Sequence, residues 1–272
     1  MNPMIRKLLT IALLALPFSA HALPRPDHIV VVIEENHGFD QIMGHKDSYI
    51  SALAKRGMLF KRSYGVTHPS EPNYLALFSG STHDVADDGC PIALSGENLA
   101  SSLINNRLNF ATYSEDLPAK GDMTCAAGAY QRKHNPAANW SDLPPGVNLP
   151  FSDFPQDFSK LPTISFVIPN QNNDMHDGSF EEADEWLKTH LEPYVDWAYT
   201  HNSLLILTWD EDDFRGDNRV VTILAGPMIK KGTSGQRIDH YNVLRTLLDF
   251  YGLKPIGNSR DALPIRGIWQ SY

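Results

Sequence analysis

The fold that we predict for this chain of 272 residues is decided by one stretch, HIVVVIE, residues 28–34. Its successive β-branched residues are apolar on both faces of a strand, which is typical of a central strand buried in a parallel sheet. The run ends abruptly in Glu35 and Asn36. Because open α/β sheets bind ligands at the carboxyl ends of their strands, these polar side chains predict a site at that edge.

Further apolar runs, most of them followed by polar residues, alternate with helical patterns along the chain. The predicted strands beyond the first are residues 58–64, 109–113, 163–168, 203–209 and 219–224. The predicted helices are residues 48–55, 97–107, 180–200 and 241–251, and another helix follows Ser70. This alternation predicts an α/β fold, a doubly wound and mostly parallel sheet flanked by helices. Residues 114–158, rich in Pro, Gly, Asn and Ser, predict a long irregular insertion, a kind of loop that is often functional.

The first 22 residues have the pattern of a secretory signal peptide. Arg6 and Lys7 precede an apolar run, residues 8–18, and a small-x-small sequence ends at Ala22. We therefore expect cleavage after Ala22 and a periplasmic or secreted protein. No internal repeat or domain boundary follows, so residues 23–272 are expected to form a single domain. No later stretch reaches the length of a membrane span, so we expect no stable membrane insertion.

Composition and charge narrow the classes of protein that this chain can belong to. Hydrophobic residues make up 42% and charged residues 20%, as in ordinary globular proteins. Removal of the signal peptide changes the formal net charge from −9 to −11, which argues against non-specific binding to nucleic acid or anionic membranes. The two cysteines, Cys90 and Cys125, predict a disulfide in an oxidising compartment and argue against a zinc–thiolate site.

Residues 65–80 connect the predicted strand 58–64 to a helix. Ser70 has the position of a helix N-cap, and Glu71 and Pro72 fall in the first turn, where acids and proline are favoured. The free N–H groups at such a helix end suit an anion such as phosphate. Locally, an ordinary capping serine explains this pattern. The polar clusters at the other strand ends shift the interpretation to a nucleophile.

These clusters offer the donors of a metal-assisted hydrolase. The oxygen ligands among them are Glu35, Asn36, Asp210 and Glu211. Hard oxygens favour calcium, magnesium or manganese, whereas the imidazoles of His176 and His240 would open the way to zinc or iron, or act as acid–base groups. A serine hydroxyl is a weak nucleophile, and a divalent ion beside it would stabilise the alkoxide and polarise a phosphoryl oxygen.

Together, these motifs resemble the secreted bacterial phosphoesterase family that contains acid phosphatases and phospholipases C, a branch of the alkaline phosphatase superfamily. The motifs that carry the resemblance are EEN (34–36), THPSEPNY (67–74), RKHNP (132–136), PN (169–170), NDMHD (173–177), TWDE (208–211) and DHY (239–241). The resemblance runs through nearly all of the mature chain, and it looks closest to the short acid phosphatases of the family.

The resemblance implies roles for individual residues. It implies a nucleophile at Ser70, with Thr67 as the alternative, and one divalent ion, of calcium, magnesium, manganese or zinc. The implied metal ligands are Glu35, Asn36, Asp210 and Glu211. The implied acid–base groups are His176, His240 and Asp174, although these positions also match superfamily metal ligands. The implied substrate-binding residues are Arg132, Lys133, His134, Asn73 and Asn170. Several superfamily members bind two metals through Asp and His pairs, and the Glu-Asn and Asp-Glu pairs found here favour one ion instead.

From these features we expect a periplasmic or secreted acid phosphatase that hydrolyses phosphate monoesters through a phosphoserine intermediate. Its substrates would be small-molecule or lipid phosphate esters, and the sequence leaves phosphoinositides open. One alternative is a phospholipase C or phosphodiesterase on the same scaffold. The alternative from another class is a non-catalytic, metal-binding exported protein.

Overall fold

The computed structural model describes residues 23–272, so the predicted signal peptide lies outside the described residues. The strands are β1 His28–Glu34, β2 Met58–Tyr64, β3 Phe110–Ser114, β4 Ala126–Ala127, β5 Tyr130–Gln131, β6 Asn148–Pro150, β7 Ile164–Ile168, β8 Ser203–Trp209, β9 Arg219–Ala225 and β10 Gly232–Asp239. The α-helices are α1 Phe39–Met43, α2 Tyr49–Arg56, α3 Ser70–Ser79, α4 Leu99–Asn105, α5 Phe180–Ala198 and α6 His240–Phe250.

An eight-stranded sheet in the order β10-β2-β9-β8-β1-β7-β3-β6 organises the described part of the chain. β1 pairs in parallel with β7 on one side and β8 on the other, with Ile29 opposite Ile164 and Leu204. Within residues 23–272, β9 alone runs antiparallel to its sheet neighbours, β2 and β8. The predicted α/β fold with a mostly parallel sheet is confirmed, and the β-branched stretch is a central strand.

The sheet divides the hydrophobic core into two layers. Ile29, Val31 and Ile33 of β1 pack into the layer that contains α3, α4 and α6. Val30 and Val32 point the other way, into the layer beneath α2 and α5. Side chains of a strand alternate between faces, so the position after the strand, Glu35, turns towards α3. This alternation brings its carboxylate to the start of α3.

Helix α3 lies in the core, and all ten of its residues are buried. Such burial on every side suits a helix that carries apolar residues around most of its circumference. It ends at Gly80, which has φ 76° and lies so close to the backbone of Ile256 that a Cβ atom would stand 2.4 Å from that residue's carbonyl oxygen. A rigid helix therefore presents Ser70 at the sheet edge.

One α-helix and four strands have no counterpart in the sequence prediction, namely α1, β4, β5, β6 and the edge strand β10. β10 lacks an apolar period, and only one of its eight residues is buried. The insertion, residues 114–158, is largely irregular as predicted, although β6 within it extends the sheet beside β3. The predicted disulfide between Cys90 and Cys125 is confirmed, with an S–S distance of 2.04 Å. In residues 23–272, no helix has both the length and the apolar character needed to cross a bilayer.

Candidate active site

The ends of two adjacent parallel strands bring the first acidic groups together. β1 and β8 pair in register up to Glu34 opposite Trp209, so Glu35 and Asp210 leave the sheet side by side. The amide N–H of Asn36 then donates to Asp210 Oδ1 at 3.2 Å. The register of β1 and β8 therefore brings polar residues together at this edge, as the sequence predicts.

Ser70 lies at the centre of these groups. Its side chain is buried, and its hydroxyl oxygen lies 3.0 Å from Glu35 Oε2, 3.1 Å from Glu211 Oε1 and 3.2 Å from the amide of Asn36. One hydroxyl group is thus surrounded by two carboxylates and an amide. Such an arrangement can accept the hydroxyl proton and can also collect oxygen ligands around a cation.

The prediction that Ser70 caps α3 is wrong. Pro69 occupies the N-cap position without a side-chain hydrogen bond of its own, and Ser70 is the first helical residue. The hydroxyl turns away from the helix because the carboxylates of Glu35 and Glu211 accept it instead. The free N–H group of Glu71 is bound by Asp88 Oδ1 at 2.9 Å. The helix end is therefore satisfied by a residue from another loop.

Asn36 reaches Ser70 because its backbone adopts a left-handed conformation, with φ 43°. Asparagine tolerates this region better than most residues. With its NH₂ group turned inwards, the side chain donates to Glu35 Oε2 at 3.1 Å, to Glu211 Oε1 at 3.2 Å and to Ser70 Oγ at 3.2 Å. A cation in the same place would require the opposite orientation, with the amide oxygen inwards.

The loop before Ser70 is fixed by two features. Asn73 accepts hydrogen bonds from the amides of Val66 and Thr67 and donates to the carbonyls of Thr67 and Pro69, at 2.8 to 3.0 Å. Gly65 lies so close to the Asp210 carbonyl that a Cβ atom would stand 2.7 Å from it. Asn73 therefore shapes the loop before Ser70, and its predicted contact with substrate stays a prediction.

Glu35 also belongs to a second group of possible metal ligands. His134 Nε2 lies 3.2 Å from Glu35 Oε2, and His134 Nδ1 lies 3.4 Å from Asp174 Oδ2. One ligand atom from each of these three buried residues lies within 4.8 Å of the other two. This set shares Glu35 with the predicted ligands and adds His134 and Asp174, for which the resemblance implied substrate binding and acid–base chemistry.

Burial governs the electrostatics of the site. It raises the pKa values of four acids, Glu35, Asp174, Asp210 and Glu211. The charge of Asp210 raises the pKa of Glu35 and of Glu211 further, whereas Lys133 acts in the opposite direction on both. Burial, followed by the charge of Lys133, lowers the pKa of His134 well below its usual range. The imidazole of His134 is therefore neutral, the form in which histidine binds metals.

The remaining predicted acid–base residues lie in different surroundings. His176 is partly exposed, with Nδ1 2.8 Å from Asp177 and Nε2 3.5 Å from Lys133 Nζ. His240 is buried, and its Nε2 lies 2.6 Å from the carbonyl oxygen of Asp210. That contact requires an N–H on Nε2, so His240 holds the strand end that carries Asp210.

Two predicted substrate-binding residues have their polar groups engaged within the protein. Arg132 is buried and donates to Asn139 Oδ1 at 3.0 Å and to two backbone carbonyls at 2.7 Å. Asn170 donates to Asp116 at 2.8 Å and accepts the backbone amides of the turn that follows it. These contacts are structural, and substrate binding by either residue stays a prediction.

Sequence reasoning did not single out three residues that contact this site. Tyr74 donates its hydroxyl to Glu35 Oε1, His68 Nδ1 contacts Glu211 Oε2, and Asp88 contacts Lys133 Nζ at 2.9 Å. Tyr74 follows Ser70 by four residues on α3 and therefore lies on the same face. That spacing was the one signal in the sequence that could have identified it.

Comparison with known proteins gives the family. A model of the phosphoesterase family matches residues 45–254. This chain belongs to the phosphoesterase family. The family predicted from the motifs is thus confirmed, and so is the enzyme class, phosphoric ester hydrolase.

Three similar proteins illustrate the relationship. The chain is 47% identical over 257 residues to a phosphatidylinositol-3-phosphatase of Mycobacterium tuberculosis, covering 92% of this chain and 85% of that protein. It is 30% identical over 250 residues to a phosphate-repressible acid phosphatase of Penicillium chrysogenum, covering 85% of this chain but only 60% of the fungal protein. A solved structure from the alkaline phosphatase superfamily, from Vibrio parahaemolyticus, superposes with a TM-score of 0.55 at 11% identity, over 84% of this chain and 67% of that one. The last likeness shows the fold alone.

Proposed function

We propose that this protein is an acid phosphatase that hydrolyses phosphate monoesters through a phosphoserine intermediate at Ser70. The observation that carries the proposal is the position of the Ser70 hydroxyl, 3.0 to 3.2 Å from Glu35, Asn36 and Glu211 at the start of α3. Thr67, the alternative nucleophile, donates its hydroxyl to the His68 carbonyl at 3.2 Å. These surroundings favour Ser70.

A divalent cation fits the residues around Ser70. Asp210 Oδ2 is buried without a hydrogen-bond partner. Lys133 is the one lysine or arginine within residues 23–272 whose positive charge acts on both Glu35 and Glu211, and a single charge does not balance these carboxylates. Uncompensated carboxylates would also repel an anionic phosphate ester. The residues that would hold one ion are Glu35, Asn36, Asp210 and Glu211. When bound, it would stabilise the serine alkoxide and polarise a phosphoryl oxygen, and the hard oxygens favour calcium, magnesium or manganese.

The chain's own residues would carry the protons. Glu35 or Glu211 accepts the hydroxyl proton of Ser70 as Oγ bonds to phosphorus and the ester P–O bond breaks. His176, oriented by Asp177 at Nδ1, gives a proton to the departing alkoxide through Nε2. The same residue then removes a proton from the water that hydrolyses the phosphoserine. Lys133 holds a phosphate oxygen throughout as a point charge.

The relatives and the sequence support a proposal for the substrate class and the location. The similarity to a phosphatidylinositol-3-phosphatase supports lipid phosphate esters as substrates, beside small soluble ones. The Cys90–Cys125 disulfide supports an oxidising compartment, reached after cleavage behind Ala22. We further propose that residues 23–272 form a single phosphoesterase domain.

The test is phosphate release from p-nitrophenyl phosphate by wild type, Ser70→Ala and Ser79→Ala. Ser79 is the matched control, since it is a buried serine at the other end of α3 that donates to the Leu75 carbonyl. We expect Ser70→Ala to lose at least about a thousandfold in kcat and Ser79→Ala to keep turnover. Faster cleavage of p-nitrophenylphosphorylcholine than of p-nitrophenyl phosphate would instead support the phosphodiesterase. Metal binding without turnover would support the non-catalytic protein.

A further inference from the structure

Lys133 is held in place by a single carboxylate that the function proposed above does not use. Its Nζ lies 2.9 Å from Asp88 Oδ2, and the lysine side chain is 14% exposed. The other oxygen of the same carboxylate, Oδ1, accepts the N–H of Glu71, the residue directly after Ser70. Asp88 thus connects the nucleophile helix to the lysine by two hydrogen bonds, one from each of its oxygens.

The two loops that carry this pair are joined to each other near the site. The disulfide connects Cys90, two residues after Asp88, to Cys125, whose carbonyl accepts the N–H of Arg132, the neighbour of Lys133. The Arg132 guanidinium spans the same junction, donating to the carbonyl of Ile92 in one loop and of Met123 in the other, both at 2.7 Å. We name this junction, formed by the Cys90–Cys125 disulfide and Arg132, the brace.

We propose that Asp88 is a positioning residue for the reaction, which fixes Lys133 near the start of α3, and that the brace holds Asp88 in place. This inference rests on the function proposed above. It also gives the buried Arg132 a role, since its donors are occupied by protein carbonyls.

The physical reason is the flexibility of lysine. Its ammonium group is a point charge on a flexible four-carbon stem, and ordering that stem costs conformational entropy. Asp88 orders it before substrate arrives, because its own orientation is fixed by the Glu71 amide. A phosphate ester then meets a preset positive charge near the start of α3, where Ser70 lies. Pre-organised charges of this kind contribute more to binding and catalysis than mobile ones.

The first experiment is a double-mutant cycle of Asp88→Asn and Lys133→Met, with Asp87→Asn as the control. Asp87 is the exposed neighbour of Asp88, and its carboxylate accepts a hydrogen bond from the Gly89 amide at 3.0 Å, away from Lys133. We expect Asp88→Asn to lower kcat/KM for p-nitrophenyl phosphate about tenfold, mainly through KM. In the Lys133→Met background the same change should have almost no further effect.

Additive losses in the cycle would overturn the proposal, and so would a loss of thermal stability in Asp88→Asn with KM unchanged. A rise in kcat/KM for Asp88→Asn would also overturn it, because the carboxylate would then compete with the substrate for Lys133. The control Asp87→Asn should behave as wild type.

The second experiment removes the disulfide with Cys90→Ser and Cys125→Ser together, assayed below the melting temperature of that variant. We expect loss of the disulfide to lower kcat/KM severalfold when Asp88 is present and only a little when it is replaced in Asp88→Asn. Equal losses in both would overturn the role of the brace.

Binding of inorganic phosphate, measured by calorimetry in a Ser70→Ala background, separates this proposal from the previous one. Coupling between Asp88 and Lys133 in phosphate affinity would support the positioning role even if Ser70→Ala kept its turnover and so refuted the nucleophile. Absence of that coupling would overturn the positioning role alone.

Discussion

Replacing Tyr74 by phenylalanine would remove one hydroxyl group from the site and leave its ring in place. Tyr74 is 1% exposed, lies one turn after Ser70 on α3, and donates its hydroxyl to Glu35 Oε1. The other oxygen of that carboxylate, Oε2, lies 3.0 Å from Ser70 Oγ. The change therefore reaches the acid beside Ser70 without touching any group that we place on the substrate.

The size of the effect follows from the hydrogen bond that is lost. A hydrogen bond to a charged group contributes about 1.5–3 kcal/mol, and about 1.4 kcal/mol corresponds to a tenfold change in an equilibrium constant. Glu35 would be a less well-oriented ligand. We therefore expect the dissociation constant for a divalent ion to rise about 10- to 100-fold, and kcat/KM to fall by a similar factor at limiting metal.

The assay is isothermal titration of the metal-free protein with calcium, magnesium and manganese, followed by p-nitrophenyl phosphate kinetics across metal concentrations. Tyr194→Phe is the matched control, because Tyr194 is fully buried and donates to the Leu204 carbonyl at 3.0 Å, at the opposite end of β8 from Asp210. Equal metal affinity in the two variants, or an equal loss of activity, would refute the role that we give to Tyr74.

Three more predictions concern the buried acids. Burial raises the pKa of Glu71 from 4.5 to about 7, so its contribution to stability is complete below pH 4.5 and is lost as the pH rises through 7. Glu71→Gln should therefore raise the melting temperature by a few degrees at pH 8 relative to wild type and leave it nearly unchanged at pH 4.5. Because burial raises the pKa values of Glu35 and Asp210, removal of the ion by a chelator should leave unbalanced negative charges at pH 8 more than at pH 5. Chelation should therefore lower the melting temperature, measured by calorimetry, more at pH 8 than at pH 5. Asp210→Asn should lower metal affinity at least about tenfold, whereas Asp174→Asn should leave it nearly unchanged; the reverse result in elemental analysis would assign the ion to Glu35, His134 and Asp174.

The predictable parts of the fold are those in which apolar residues recur with the spacing of a strand or a helix. The continuous β-branched run of β1 is apolar on both faces, which suits a strand between two others in the middle of a sheet. The alternation of its side chains between the two faces directs Glu35 towards α3. The meeting of Glu35, Asp210 and Ser70 follows because parallel strands end at one edge. β10 was missed because an exposed edge strand needs no apolar face.

The rest of the site depends on the course of irregular loops, which the spacing of apolar residues does not predict. His134 reaches Glu35 from the irregular insertion, and Met175, at φ 78°, turns the chain between Asp174 and His176. A non-glycine residue in that conformation persists only where its surroundings hold it, which local sequence does not reveal. The error at Ser70 has the same origin. The sequence predicts a helix start at Ser70, but the acids that hold its hydroxyl follow other strands and are not visible in the local pattern.

The central claim is that Ser70 forms a covalent phosphoenzyme. The most direct measurement is mass spectrometry of peptides from enzyme that has been mixed with p-nitrophenyl phosphate and quenched in acid within the first turnover. A phosphoryl group on Ser70 that disappears when turnover is complete would agree with the account. A phosphoryl group on Thr67, or rapid turnover with no phosphorylated peptide at any time, would contradict it.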